Sequence, residues 1–166
     1  MRRRVELIDT SVLLELLDVP FCNDRRDEVI AEFEDRIRRG INFQMPAAAL
    51  VEAGGHVSRI SDGSARRRCA THLAELIGAT VAGKAPWTFT RLSWDDDFLD
   101  RLLAPSDDLP LALVESLAQR HLEMGDLVIV AEWQRLRENL DPQVVEIDVW
   151  TLDNSLSAVI KHLRQP

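Results

Sequence analysis

The first seventeen residues constrain this chain more than any other stretch. In RVELID, from Arg4 to Asp9, Val5 and Leu7 alternate with Glu6 while Ile8 adds a further apolar position, the mark of a short buried strand. That run passes without a break into TSVLLELLD, where Val12, Leu13, Leu16 and Leu17 recur at helical spacing. Ser11 or Thr10 is the expected N-cap. A strand feeding straight into a helix, with Asp9 at the junction, is the start of an α/β unit, and ligands in open α/β sheets gather at the carboxyl ends of the strands.

The same alternation continues. Residues 24–39 read as a second helix, buried along Val29, Ile30, Phe33 and Ile37 and stopped by Gly40. INFQM is a second short strand, and Pro46 opens a helix through AAALVEAGGHVSRI that carries Glu52, with Gly54-Gly55 marking a kink or a close contact. SDGS is a turn, and Ala65 to Ile77 a further helix. WTFTRL is a third strand, followed by a helix from Asp95 to Ala104, a polar break PSDDLP and a helix from Leu111 to Glu123. DLVIVAEWQRLRENL is a strongly apolar helix, QVVEIDVWTLD the best strand, and Asn154 the cap of a last helix SLSAVIKHL. The pattern predicts one domain over residues 1–166, a three-layer α/β/α sandwich around a short, mainly parallel sheet.

Composition narrows the function. The 166 residues carry a net charge of −8, with 46% hydrophobic and 29% charged residues, a globular balance. No stretch approaches the ~18 consecutive apolar residues of a membrane helix. MRRRVELIDT lacks the uninterrupted apolar run and cleavage site of a secretory signal, so the expectation is a cytoplasmic protein. Cys22 and Cys69 make no disulfide framework, and His56, His72, His121 and His162 form no paired ligand motif, so zinc is not expected.

Four acids stand in apolar surroundings. Asp9 and Asp153 end strands, Glu52 sits between AAALV and AGG, and Asp126 opens the LVIVA helix. Other acids fall in mixed-charge stretches such as DRRDEVIAEFEDRIRR, the ordinary pattern of a solvated helix face. Each of the four has a plain reading as a cap, turn or surface acid, so the case rests on their order. LIDTSVLLELL, MPAAALVEAGG, MGDLVIVAEW and VWTLDNSLSAV, in that order, resemble the four motifs of PIN-domain ribonucleases. The layout resembles most the VapC-type toxins of toxin–antitoxin pairs, apart from extra length around residues 91–110. Asp148 is a rival to Asp153, which is preferred for its strand-end Thr151-x-Asp context.

The resemblance implies a PIN-like fold and hydrolysis of RNA leaving a 5′-phosphate. It implies Asp9 and Asp126 as principal ligands of Mg²⁺ or Mn²⁺, with Glu52 and Asp153 completing the catalytic cluster. Thr10 or Ser11 would support it by holding a carboxylate or a water, or would simply cap the helix. For a toxin it implies a homodimer and a cognate antitoxin protein covering the acidic site. The physics agrees: two ionised carboxylates ~5 Å apart repel by roughly 3 kcal/mol at an effective dielectric near 20, so four together take up protons or recruit hard cations. Arg66, Arg67 and Arg68 form the densest basic run and are candidates for RNA phosphate, beside the plain reading of a solvated face. Trp133 and Trp150 read as core or interface, while Trp87 and Trp94 could stack on bases. Asp95, Asp96 and Asp97 read as a helix cap. Alternatives are a PIN-like module that binds without cleaving, a non-toxin RNA-processing nuclease, and a phosphate-transfer domain, for which Lys84 lacks strand context.

Overall fold

A computed structural model describes residues 2–91, 93–103 and 113–164. Four strands, β1 (Arg3–Ile8), β2 (Asn42–Met45), β3 (Trp87–Phe89) and β4 (Val145–Trp150), form an all-parallel sheet in the order β3-β2-β1-β4. Among the described residues eight helices connect and flank them: α1 (Thr10–Leu16), α2 (Arg26–Arg38), α3 (Ala47–Ser58), α4 (Gly63–Val81), α5 (Asp96–Leu103), α6 (Leu113–Ala118), α7 (Met124–Asn139) and α8 (Asn154–Arg164). The expected α/β sandwich with a parallel sheet is the architecture found. The polar break PSDDLP and the first two residues of the helix expected from Leu111 lie outside the described residues.

Strand alternation assigns the two faces. Glu6, Phe43 and Trp150 face α2: Arg36 donates to Glu6 at 2.9 Å, and Phe33 lies 5.1 Å from Phe43 and 6.0 Å from Trp150. Leu7, Gln44 and Val149 share one row on the other face. There α7 crosses the sheet, and the Trp133 indole donates to the carbonyl of Ile147. The core is one apolar cluster running from Leu7 and Ile8 through α1, α3 and α7 to Trp150 and Ile160. Trp133 and Trp150 are buried in it, Trp87 is half-buried and Trp94 exposed.

Several expectations need correction. The stripe predicted on α2 is narrower than its spacing suggests, because only Val29 is buried and Ile37 is 42% exposed. The third strand ends at Phe89, where Thr90 turns its hydroxyl onto the carbonyl of Met45. α4 runs past Ile77 to Val81 and begins at Gly63, capped by Asp62. Helix α3 runs without interruption through Gly54-Gly55, and Gly54 faces Leu73 of α4, so close packing is the reading that holds there. Asp95 caps α5 through the Phe98 amide, as expected of that acidic triplet. Both cysteines are free.

Candidate active site

Strand order creates a crevice. From β1 the chain steps outward to β2 and β3, then crosses to the opposite side of β1 for β4. Beyond the carboxyl ends of β1 and β4 the chain therefore diverges, which is where α/β sheets leave room for a ligand. Asp9 and Thr151 follow those two strand ends.

Asp9 is 2% exposed and caps α1, accepting from the Ser11 amide at 3.3 Å. This overturns the assignment of the cap to Thr10 or Ser11. The carboxylate turns inward instead, and the two hydroxyls serve the acids around it. Ser11 Oγ donates to Asp9 Oδ2 at 2.5 Å and Thr151 Oγ1 donates to the same oxygen at 2.7 Å. Thr10 Oγ1 donates to Glu52 Oε2 at 2.7 Å. Ser11 Oγ also accepts from the Leu152 amide, and Thr151 Oγ1 from the Asp153 amide, each at 2.9 Å. All three donors to Asp9 converge on Oδ2, so among the described residues none reaches Oδ1. Thr151 was visible in the sequence only as context for Asp153; its hydroxyl joins the β1 and β4 ends.

Glu52 reaches the site from the second turn of α3 and lies against the backbone of Gly125. A methyl group at position 125 would overlap the Glu52 carboxylate as it lies, so glycine there lets that acid close on the start of α7. Asp126 closes a capping box: it accepts from the Glu123 amide at 2.9 Å while the Glu123 side chain accepts from the Asp126 amide. Its carboxyl is pushed up to about 7, first by burial and then by the charges of Asp9, Asp153 and Glu52. Residues from four separate elements thus share one anionic field.

Asp153, not Asn154, caps α8, accepting from the Leu156 amide at 2.8 Å. The rival Asp148 sits on the α2 face of the sheet, bound to Arg164 and to the Val149 amide, and is not among the charges acting on Asp126. The arginine run stands apart from the acids. Cys69, just beyond it, approaches the carbonyl of Asp18 at the far end of α1 from Asp9, and Arg66 donates to the carbonyl of Ile60. Arg66, Arg67 and Arg68 are exposed, and the described contacts do not bring them to the carboxylates.

Among the described residues no three His, Cys, Asp or Glu side chains form a grouping that by itself holds a metal ion. The donor chemistry is nonetheless that of a hard cation: carboxylate and hydroxyl oxygens only, one Asp9 oxygen without a donor among the described residues, and burial and then like charges that raise the Asp126 carboxyl. Mg²⁺ keeps several waters and is bound through one or two carboxylates, which fits acids that share a field without closing on one point.

Fold and site together define an α/β protein with an acidic, hydroxyl-braced crevice at the switch point of a parallel sheet. Compared with protein-family models, with curated proteins and with solved structures, the chain gives no match. No described helix is long and apolar enough to cross a membrane.

Proposed function

We propose that this protein is a Mg²⁺- or Mn²⁺-dependent endoribonuclease whose active site is Asp9, Glu52, Asp126 and Asp153. The observation that carries the proposal is the convergence at Asp126, whose carboxyl is raised by burial and then by the charges of Asp9, Asp153 and Glu52, acids from distant points of the chain. The order of the motifs, similar to that of PIN-domain ribonucleases, supports the same reading.

The bound cation would supply a Lewis acid for the phosphodiester and a nucleophilic water at neutral pH. The chain's own residues prepare the place. Ser11 and Thr151 fix Asp9 through Oδ2 and leave Oδ1 directed elsewhere; Thr10 and the Gly125 backbone fix Glu52. Asp126, raised by burial and then by like charges, would be held in its ionised form by a cation in the crevice. No histidine base takes part.

The test is cleavage of single-stranded RNA with Mg²⁺ or Mn²⁺, beside EDTA and an Asp9→Asn variant. Cleavage abolished by both controls is expected; cleavage that survives both belongs to a contaminant and overturns the assignment. A second reading has its own support: Asp126 and Asp153 both serve as helix caps, as they would in a module that binds RNA or protein without cutting it. Retained RNA binding with no cleavage under any divalent cation selects it.

Within the nuclease reading, we place the protein in the cytoplasm as the toxin of a toxin–antitoxin pair, a homodimer whose antitoxin covers the acidic crevice. An arginine from the antitoxin, entering beside Asp9 and Asp126, would inhibit by charge-assisted hydrogen bonding. A small overlapping reading frame upstream of the gene is expected; without one, RNA processing becomes the favoured role.

A further inference from the structure

The opposite edge of the sheet carries a second, differently charged feature. A cleft of about 540 Å³ opens at the edge strand β4, between the last turns of α7 and α8 and the start of β1. Arg2, Arg137 and Arg164 line it together with the apolar Leu140, Pro142, Val145 and Leu163. Two acids also line it, but both are matched. Glu138 takes a hydrogen bond from Arg101 at 2.7 Å, and Glu146 pairs with Arg4. Arg164 is matched by Asp148.

Arg2 and Arg137 have no acidic partner among the described residues. Arg137 is nevertheless held in place, its guanidinium 4.6 Å over the buried ring of Trp133 and bonded to the carbonyl of Leu163 at 3.2 Å. A fixed guanidinium keeps its remaining N–H donors aimed, so little ordering is lost when an anion binds. Burial lowers the pKa of Arg164, and the charges of Arg137 and Arg4 lower it further against the opposing pull of Glu146 and Glu6.

We propose that this cleft binds a phosphate monoester carrying a compact apolar or aromatic body. Two unmatched guanidiniums balance the two charges of a monoester, and guanidinium forks match its oxygens. The apolar lining residues take the organic part, and the volume falls within the roughly 300–1,000 Å³ range of small-ligand pockets. The site lies at the amino ends of the strands, away from the crevice at their carboxyl ends, and does not rest on the nuclease reading.

The test is calorimetric titration with phenyl phosphate, inorganic phosphate and phenol at fixed ionic strength, in EDTA to silence the acidic crevice. Wild type, Arg2→Gln, Arg137→Gln and the double variant are compared, with Arg67→Gln as a control on another face. Phenyl phosphate is expected to bind wild type and Arg67→Gln alike, each cleft substitution weakening it about tenfold or more. Inorganic phosphate and phenol are expected to bind more weakly than phenyl phosphate. Should Arg137→Gln disturb the packing on Trp133, seen as a changed circular dichroism spectrum, Arg2→Gln alone decides the matter. Equal affinity in wild type and Arg2→Gln, or no saturable binding by wild type, overturns the proposal. Phenol binding as tightly as phenyl phosphate also overturns it; phosphate binding as tightly as the ester removes the organic body from it.

Discussion

At position 125 an added methyl would have to displace the Glu52 carboxylate. In an ordinary helix Gly→Ala gains about 1 kcal/mol from propensity, but here the new methyl would overlap the Glu52 carboxylate. That carboxylate ends a flexible side chain that can swing aside, so Gly125→Ala is expected to cost under about 1 kcal/mol of stability while displacing Glu52 and losing cleavage activity. In a Glu52→Ala background the same change is expected to become neutral or stabilising. Chemical denaturation of the four proteins of this cycle checks it, and an equal loss in both backgrounds rules the contact out. Glu132 poses a different residue-scale problem. It is 1% exposed, its Oε2 has no partner among the described residues, and burial pushes its carboxyl up to about 7 against a hydrogen bond with Thr90. The Thr90 hydroxyl has one proton and directs it to the Met45 carbonyl, so a protonated Glu132 can donate to the hydroxyl oxygen in turn. Between pH 4.5 and about 7 the unfolded chain releases this proton while the native chain keeps it. Stability consequently falls as pH rises through that window, and the loss is complete above it. Glu132→Gln, a mimic of the protonated acid, is expected to match wild type near pH 4.5 and to melt higher at pH 8. The reverse order at pH 8 would show that a charged Glu132 belongs to the native state.

Helix α7 links the two ends of the molecule, from the acidic crevice at Asp126 to the basic cleft at Arg137. Its existence was legible from DLVIVAEWQRLRENL, because a long apolar run of helical length needs little context. The cap was not legible. Glu123 and Asp126 exchange hydrogen bonds only because the chain turns at Glu123, and Asp9 and Asp153 likewise take the caps expected of Thr10 or Ser11 and of Asn154. In each case an acid supplies the cap, since the helix starts where the strand end or loop aims a carboxylate at free amides. Glu123→Ala is expected to cost about 1 kcal/mol through the lost cap. Asp126→Asn should behave oppositely in metal-free buffer. The amide oxygen can still accept from the Glu123 amide, while the buried, like-charged carboxylate is gone. Because the folded pKa of about 7 lies above the ordinary 3.8, wild-type stability is full below pH 3.8 and declines up to about pH 7. Thermal melts in EDTA at pH 8 should find Asp126→Asn more stable than wild type, yet inactive on RNA. A lower melting temperature would mean that the carboxylate's role at that helix start is structural alone.

For the whole molecule, the −8 charge opposes RNA unless cations intervene. A cation that binds only the folded crevice stabilises it by mass action, about 1.4 kcal/mol for each tenfold rise above its dissociation constant. Mn²⁺ or Mg²⁺ is thus expected to raise the wild-type melting temperature, EDTA to reverse the rise, and Asp9→Asn to abolish it. Equal shifts in wild type and Asp9→Asn would place the cation elsewhere and favour the binding-module reading.

Local pattern by itself determined the α/β class, the strand-then-helix order, and the four acids in apolar settings, because burial writes period-2 and helical spacings directly into the chain. Tertiary structure decided what those acids do together. Thr151 reaches Asp9 across 142 positions and Thr10 reaches Glu52 across 42, contacts no window of sequence contains. The exposure of Ile37 and the isolation of Arg66, Arg67 and Arg68 likewise depend on what packs beside α2 and α4. Spacing records which side of an element is apolar; only the assembled layers fix which sides meet and which carboxylates must share one field.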